Sequence, residues 1–419
     1  MANTSLTADV VAKEALVILE NELGVLKRMH RAHESEFSNQ VNGYKIGDTI
    51  SIRRPADFTV RSGATLSAQD VIEGKTTLTI DQQRGIDFQF TSSELTLKID
   101  DLSERVIKPA MSSLINDITN DVLTQMYRGC YNWVGTAGNT VDSFADFAKA
   151  PERLDLMAVP QNDRSAAFSP TDYWGFVGSQ TALYMNGVAT DAFRRGEMGM
   201  VAGIDTLMSQ VVPTHTVGPL GGTPLVNGAS QNVSYDTAKD TWTQSLVTDG
   251  WTAAAASRLK AGDVFTLFAA GTSGATVNMV NPKTKASTGV AQQFVVTADV
   301  SSDGSGNATL TISPPIITSG PHQTVNVAPA DNAGLTLVGS ASTSYRQNLV
   351  FHKNCMGVAF VPMEMPQAAY NGSRQSYKGV SVRVIPIYDG TNDISKWRLD
   401  VLYGRKVLDP RLATRLSGT

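Results

Sequence analysis

The sequence of 419 residues contains only two cysteines, Cys130 and Cys355, and lacks long apolar runs. Two cysteines cannot form a disulfide framework, so synthesis in a reducing cytoplasm is expected. A membrane-spanning helix needs about 18 or more consecutive apolar residues, and no segment approaches that length. The apolar stretch at 10–26 is interrupted by charged residues and follows no basic segment, unlike a secretory signal peptide. The sequence therefore predicts neither membrane insertion nor secretion.

The motifs of catalysis and cofactor binding are missing as well. The sequence has no Walker loop, zinc-ligand spacing, nucleophile elbow or dinucleotide fingerprint. Its most glycine-rich stretch, 218–222, lacks the flanking strand and the Lys-Ser or Lys-Thr pair of a phosphate-binding loop, so we interpret it as a hinge. His352 and Cys355 are close in sequence but have no third partner for a Cys-His site. We therefore predict that the protein is not an enzyme and binds no stoichiometric metal, nucleotide or cofactor.

Charge is scarce in one part of the chain. Overall the net charge is −4, with 42% hydrophobic and 18% charged residues, which is typical of a folded protein and does not indicate a nucleic-acid or membrane partner. Between 219 and 345, however, only 12 of 127 residues are charged and none is Glu, against 62 charged residues in the other 292. Short strand patterns and hairpin turn residues fill this segment. We predict an inserted all-β, barrel-like domain at 222–345, with strands at 263–269, 275–280, 293–300, 308–312, 324–327 and 335–338.

A long amphipathic helix is predicted at 99–128, and we call it the spine helix. Its apolar residues recur at three- and four-residue spacing. Asp101 and Glu104 fit a capping box, and Gly129 lies where a C-cap is expected. Pro109 lies inside the pattern and should kink the helix. About 30 residues would span ~45 Å, which is long for a globular core. The apolar residues are Leu102, Val106, Ala110, Met111, Leu114, Ile115, Ile118, Val122 and Met126.

An extended two-stranded arm is predicted at 49–91. The segments 49–54, 76–80 and 86–91 have strand character, while 55–75 is polar and contains glycine, so it would form the far end of the arm. A lone two-stranded ribbon is marginally stable in water. The arm is therefore expected to lie on a neighbouring molecule.

Four charged residues of this arm are candidate site residues: Arg53, Arg54, Asp57 and Arg61. The arginines lie on or beside an exposed arm with only Asp57 close by. We therefore predict that they make inter-subunit contacts and pair with a neighbouring subunit rather than within the chain. Each exposed pair contributes only ~0–1 kcal/mol, but a lattice repeats it many times.

The remaining segments predict a mixed α+β host fold. An amphipathic helix is predicted at 7–26 and a short helix from 143. Near the C-terminus, 380–388 and 395–404 form a long antiparallel hairpin with one apolar face. That face must be covered, and we expect the helices of 143–221 to cover it.

The order of these parts resembles that of the Hong Kong 97-type major capsid proteins of tailed phages. The inserted β domain makes the chain most similar to the coat proteins of short-tailed Salmonella phages. Short motifs in matching order strengthen the resemblance between 165 and 412, whereas the arm tip at 55–75 does not align. The motifs are Phe168-Ser169-Pro170-Thr171-Asp172-Tyr173, Ala192-Phe193-Arg194, Val201-Ala202-Gly203-Ile204-Asp205, Lys260-Ala261-Gly262-Asp263, and Tyr403-Gly404 followed by Pro410.

The resemblance implies an α+β capsid fold and a structural role. Copies would form pentamers and hexamers of an icosahedral shell around double-stranded DNA, which they enclose without sequence-specific binding. A scaffolding protein would guide assembly in the bacterial cytoplasm, and a portal protein would fill one vertex. Whether a decoration protein binds the virion outside is left open by the sequence. The implied parts are an N-terminal arm (1–48), an extended β loop (49–91), a peripheral domain with the spine (92–142), an axial domain (143–221), the insertion (222–345), and a returning axial and peripheral segment (346–419).

Two other functions compete with this one. A secreted or surface β-rich binding protein would explain the insertion, but the absence of a signal peptide disfavours it. An enzyme with a site assembled across domains is disfavoured by the lack of any acid, base or nucleophile constellation.

Overall fold

The computed structural model describes residues 8–31, 47–61, 63–66, 68–91, 103–181, 198–268, 276–366, 372–377, 379–392 and 394–419. Contacts divide the chain into two compact units. The first consists of Met1–Ser51, Thr77–Leu123 and Met356–Lys406. The second consists of Ile52–Thr76, Thr124–Cys355 and Val407–Thr419.

Five α-helices are found among the described residues. They are α1 (Ala8–Glu22), α2 (Lys108–Gly129), α3 (Phe144–Leu156), α4 (Pro170–Thr181) and α5 (Tyr235–Ala238). Short turns of other helix types are Gly24–Arg28, Lys353–Cys355 and Pro410–Leu412 (3-10) and Ser103–Ile107 (π).

The spine helix is α2, and its apolar stripe is confirmed from Met111 to Met126, whereas Leu102 lies outside the described residues. Met111, Leu114, Ile118, Val122 and Met126 are all buried. The α-helix is shorter than predicted, because regular structure begins at Lys108 after the π turn. The predicted capping box includes Asp101, which lies outside the described residues.

Pro109 is the second residue of α2 and directly follows the π turn Ser103–Ile107. The proline and the irregular turn thus lie together where the regular α-helix begins, and the kink stays a prediction. Gly129 is the last helical residue rather than a left-handed cap, since its φ is not positive. The C-terminal carbonyls are instead bound by an arginine side chain from the end of the chain, Arg415.

The first unit contains a five-stranded sheet. Its strands are β3 (Gln82–Thr91), β21 (Met356–Val361), β22 (Ser373–Tyr377), β23 (Val380–Asp389) and β24 (Ile394–Val407). The predicted hairpin is β23 and β24, paired from Arg383 with Asp400 to Asp389 with Ile394. Its Trp397, Leu399, Val401 and Tyr403 are buried, as the alternating pattern indicates.

The cover of this hairpin differs from the expectation. The N-terminal helix α1 packs on β22 and β23, rather than a helix of 143–221. The spine also contributes, because Tyr403 Oη donates to Asp121 Oδ2 at 2.6 Å. On the other face, Asp400 is buried and accepts from Arg383 Nη2 at 2.5 Å and from Arg398 Nε at 2.8 Å.

The extended arm contains two of the three predicted strands. β1 (Thr49–Arg53) pairs with β2 (Lys75–Thr79) in a two-stranded sheet. The third strand, β3, pairs antiparallel with β24 from Thr91 opposite Ile394 to Gln82 opposite Tyr403. Residues 82–91 therefore belong to the five-stranded sheet and not to the arm, contrary to prediction.

The second unit contains a six-stranded sheet flanked by α3 and α4. Its order is β4 (Trp133–Val134), β25 (Ala413–Leu416), β20 (Asn348–His352), β5 (Arg164–Phe168), β7 (Ile204–Met208) and β6 (Met200–Val201). Phe147 of α3 and Phe176 of α4 stack with ring centroids 4.9 Å apart, and Phe168 of β5 lies 6.0 Å from Phe147. These rings fix both helices to the sheet.

The inserted domain is a closed six-stranded barrel. Its order is β10 (Gln244–Trp251), β17 (Ala308–Ser313), β15 (Gln293–Val296), β12 (Val264–Phe268), β18 (Gly334–Leu337) and β9 (Gly222–Val226). The remaining short strands pair as β11 (Ala256–Leu259) with β16 (Val300–Ser302), and β13 (Asn278–Val280) with β14 (Ser287–Ala291). The predicted strand at 324–327 is wrong, because Val325 forms only an isolated bridge to Met279.

Within the second unit, the insertion is connected to the rest of the chain through a two-stranded neck. β8 (Thr214–Thr216) leads into it and pairs with β19 (Ser344–Arg346), which leads out. Asp263, directly before β12, binds His215 Nε2 at 2.7 Å and accepts from Gly218 N at 3.1 Å. Both borders of the insertion are therefore held by hydrogen bonds.

Candidate intersubunit surface

The candidate site residues lie on the loop between β1 and β2, residues 54–74, which we call the arm loop. Arg53 immediately precedes this loop, and its side chain is 82% exposed. Its Nη1 lies 3.1 Å from Glu73 Oε2, so β1 and the returning limb are linked by an exposed ion pair. Such a pair contributes little to stability and leaves the Arg53 side chain accessible.

Arg54 has a different environment and is partly buried. Its guanidinium carbon lies 5.6 Å from the centroid of the Trp242 ring, and Nη1 donates to Lys239 O at 3.4 Å. Burial lowers the pKa of Arg54, and Asp409 opposes that effect. Arg54 thus makes cation–π and hydrogen-bond contacts with the inserted domain of its own chain.

Asp57 also has partners within the chain. Its Oδ2 lies 3.6 Å from His322 Nδ1 and 3.6 Å from Arg411 Nη1. The His322 ring stacks on Tyr235 with centroids 3.5 Å apart and an interplanar angle of 12°. These partners are distant along the chain, so the sequence pattern did not reveal them. Arg53, Arg54 and Asp57 each have partners within the chain, contrary to the expectation that they pair only outside it, and their contacts with a neighbouring subunit stay a prediction.

The tip of the arm loop is exposed and apolar. The Gln69 side chain joins its two limbs, since Oε1 accepts from Thr59 N at 2.9 Å and Nε2 donates to Thr59 O at 2.6 Å. Arg61 is exposed and donates to Gly63 O and Thr65 O. Four large apolar side chains project into solvent around it: Phe58 (58% exposed), Val60 (100%), Leu66 (82%) and Val71 (64%). Several exposed apolar side chains on one loop are typical of a surface that binds another molecule.

The buried His322 predicts an acid-sensitive contribution to stability. Burial, aided by Arg411 and Lys285 and opposed by Asp57, lowers its pKa from 6.5 to about 4. Because the unfolded chain takes up this proton first on acidification, stability falls as pH drops from 6.5 to 4. We expect a loss of up to about 3 kcal/mol in the free energy of unfolding.

The measurement is urea unfolding of the subunit at several pH values for wild type and His322→Gln. Another buried histidine, His352, also has a lowered pKa, but it is present in both proteins and cancels in the difference. Equal pH dependence in the two proteins would contradict the prediction.

The described residues contain no evident reaction centre. Cys355 is fully buried, and burial raises the pKa of its thiol well above the usual range. His352 Nδ1 accepts from Asn354 N at 3.2 Å. Within the described ranges, no group of three or more His, Cys, Asp or Glu side chains could hold a metal ion. Of the helices in those ranges, none combines the length and apolarity needed to span a membrane.

A family model described as "P22 coat protein - gene protein 5" matches residues 1–418. The chain belongs to the P22 coat protein family. It is therefore a major capsid protein, with its place in the phage capsid. The fold is the α+β Hong Kong 97-type capsid fold with a closed barrel inserted between β8 and β19.

Solved structures of low sequence identity also match the coat protein. A structure from Mycobacterium phage Che8 shares 13% identity, with 94% of this chain and 91% of that chain covered and a TM-score of 0.48. The capsid of cyanophage P-SCSP1u shares 13%, covering 90% and 84% with a TM-score of 0.41. A virus-like particle from Pyrococcus furiosus shares 8%, covering 97% and 98% with a TM-score of 0.37. No curated protein matches the chain.

Within this coat protein, the four candidate residues separate into two pairs. Arg53 and Arg61 are exposed on the arm, whereas Arg54 and Asp57 contact the inserted domain of the same chain. The exposed apolar tip was not predicted, although Phe58, Val60 and Leu66 are visible in the sequence, because they show no regular period.

Proposed function

We propose that this coat protein assembles into pentamers and hexamers of an icosahedral head, and that the arm loop contacts a neighbouring subunit. The observation that carries the proposal is the exposed apolar tip formed by Phe58, Val60, Leu66 and Val71. Covering one leucine side chain contributes ~1.5–3 kcal/mol, which multiplies over the many equivalent contacts of a closed shell. Arg53 and Arg61 flank the tip and supply charges for the same contact.

Family membership also supports wider roles as part of this proposal. A scaffolding protein guides assembly in the bacterial cytoplasm, a portal protein fills one vertex, and the head encloses double-stranded DNA. A net charge of −4 is compatible with a shell that contains DNA without gripping its backbone strongly. The role is structural, without catalysis, cofactor or membrane contact. Segment 92–142 belongs to the peripheral domain, 143–221 to the axial domain and 346–419 to both. The insertion at 222–345 stands on the outer side.

The experiment compares assembly of wild type, Leu66→Asp and the control Thr65→Asp. Thr65 is the exposed neighbour of Leu66, so the control adds the same charge without removing apolar surface. Loss of one buried leucine, about 2 kcal/mol per contact, predicts an assembly threshold roughly 30-fold higher for Leu66→Asp.

Size-exclusion chromatography with light scattering and negative-stain electron microscopy measure the outcome. Wild type is expected to form shells or capsomers, alone or with the scaffolding protein of the same phage. A wild-type chain that stays monomeric with that scaffold would refute the proposed assembly. Equal thresholds for the two variants would exclude Leu66 from the contact.

A further inference from the structure

The base of the arm loop is attached to one short segment of the inserted domain, residues 235–242, which we call the clamp. Lys75 N donates to Asp240 Oδ1 at 3.0 Å, and Arg54 Nη1 donates to Lys239 O at 3.4 Å. The Arg54 guanidinium also lies over the Trp242 ring. Arg54, the first residue of the arm loop, and Lys75, which directly follows the loop, therefore both contact the clamp.

Gly74 shows how closely the backbone of the loop approaches the clamp. A Cβ atom at this position would lie 2.3 Å from Lys239 O and 3.0 Å from Tyr235 Oη. Arg54 N donates to Gly74 O at 2.8 Å, so the two limbs are also joined to each other here. Any residue larger than glycine would push the returning limb away from the clamp.

A second attachment lies beyond the clamp on the outgoing limb. The Asp57 carboxylate lies between His322 and Arg411, each 3.6 Å away. The His322 ring stacks on Tyr235 of the clamp, and the Arg411 guanidinium lies 5.7 Å from the Trp242 ring. The two attachments therefore form one continuous set of contacts.

We infer that the inserted domain holds the arm loop in a fixed direction in the unassembled subunit, before any neighbour is present. Without such support a two-stranded ribbon is marginally stable, and each residue ordered on association costs backbone entropy. Holding the base in advance removes part of that cost from the association step. The consequence for assembly rests on the proposed function; the holding of the loop does not.

The test is hydrogen exchange of the unassembled full-length subunit, followed at the Arg54 and Lys75 amides. Gly74→Ala displaces the returning limb, and Asp240→Ala removes the carboxylate that binds Lys75 N. The matched controls are Gly304→Ala, where a Cβ meets nothing within 4 Å, and Asp299→Ala, whose Oδ1 accepts only from Ala261 N of the inserted domain. We expect exchange of the Lys75 amide to be at least tenfold faster in both loop variants and unchanged in both controls.

The possible results distinguish failure of this inference from failure of the proposed function. Unchanged exchange in both Gly74→Ala and Asp240→Ala would overturn the inference, whether or not the protein assembles. Faster exchange in these variants but not in the controls supports it, even if wild type forms no shells. Where wild type assembles, the loop variants should assemble at least severalfold more slowly; faster exchange with an unchanged assembly rate would overturn the claim that preordering the loop assists association.

Discussion

Replacement of Arg415 by Ala is expected to lower the free energy of unfolding by about 3–5 kcal/mol. Arg415 is 1% exposed, and its guanidinium donates to Tyr127 O at 2.5 Å, Cys130 O at 2.9 Å and Gln347 Oε1 at 3.2 Å. Tyr127 lies in the last turn of the spine helix, and Cys130 directly follows it. The variant removes the arginine donors of Cys130 O and Gln347 Oε1, whereas Tyr127 O keeps its bond from Cys130 N at 3.1 Å. Removal of this side chain also opens a cavity between Tyr127 and Trp133, whose ring centroids each lie 5.3 Å from the guanidinium carbon.

One effect works in the opposite direction. Burial lowers the pKa of Arg415 to about 10, which shows that the site disfavours the charge. Relief of that penalty returns roughly 3 kcal/mol. Two unsatisfied acceptors, Cys130 O and Gln347 Oε1, at ~1–3 kcal/mol each, together with a cavity term of ~2–5 kcal/mol, outweigh it.

Urea unfolding of the subunit, followed by circular dichroism, measures this loss. Arg53→Ala is the matched control, because Arg53 is 82% exposed and its removal should change stability by less than about 1 kcal/mol. Arg415→Lys keeps the charge but cannot reach three acceptors at once, so its stability should lie between wild type and Arg415→Ala. If Arg415→Ala were no less stable than Arg53→Ala, the role of Arg415 in ending the spine helix would be wrong.

The sequence was sufficient to predict the spine helix because a helix is a local pattern. Met111, Leu114, Ile118 and Val122 recur at helical spacing, and all face the core. The residue that ends this helix was not predictable in the same way. Arg415 lies 285 residues after Cys130, and an isolated arginine near a chain end ordinarily indicates a solvated surface.

Strand pairing explains why the sequence placed β3 in the arm, whereas the structure places it in the five-stranded sheet. β3 has a clear strand pattern, but its partner β24 lies some 300 residues further on, and local alternation does not identify a partner.

Strand β10 was missed because polar residues, Gln244 and Thr248, occupy two of its inward positions. One of them, Thr248, is fully buried and donates to Ala308 O at 2.8 Å. Inward polar residues that find partners are invisible to a search for apolar alternation.

The candidate site was predicted only in part, because composition shows where the arm loop lies but not which distant residues it contacts. An isolated polar arm with exposed charges can be recognised from composition, so the location of the arm loop was found. The partners of Arg54 and Asp57, Trp242 and His322, lie in the inserted domain. Only the fold brings them together, and the sequence alone therefore suggested a neighbouring subunit.

Replacement of Phe294 by Ala in the barrel should cost about 3–5 kcal/mol. Phe294 is 0% exposed, and its ring stacks on Phe265 of the adjacent strand at 5.7 Å. Residues predicted from the sequence do fill the barrel interior: Phe265, Leu267, Phe294, Val296, Leu310 and Ile312. Val264, predicted with them, instead belongs to the core of the host sheet, together with Val295 directly opposite it in register.

This alternation separates an interior face from a docking face on β12 and β15. Inward residues such as Phe294 stabilise the barrel itself. Val264 and Val295 form the docking face, which packs against the core of the six-stranded sheet. Gln293 strengthens the docking, since its side chain accepts from Trp133 N at 2.7 Å and donates to Trp133 O at 2.8 Å. We predict that residues 222–345 fold alone, but with lower stability than in the full chain because the docking face becomes exposed.

Two substitutions measured in two contexts test this prediction. Phe294→Ala should destabilise both the full chain and isolated 222–345, because the interior core is the same in each. Val295→Ala should destabilise the full chain by about 1–3 kcal/mol and leave the isolated segment within about 0.5 kcal/mol, since there the side chain faces solvent. Thermal melts and amide spectra provide both measurements. A collapsed, non-cooperative 222–345 would show that the barrel depends on the host sheet to fold, and equal effects of Val295→Ala in both contexts would place that residue in the barrel interior.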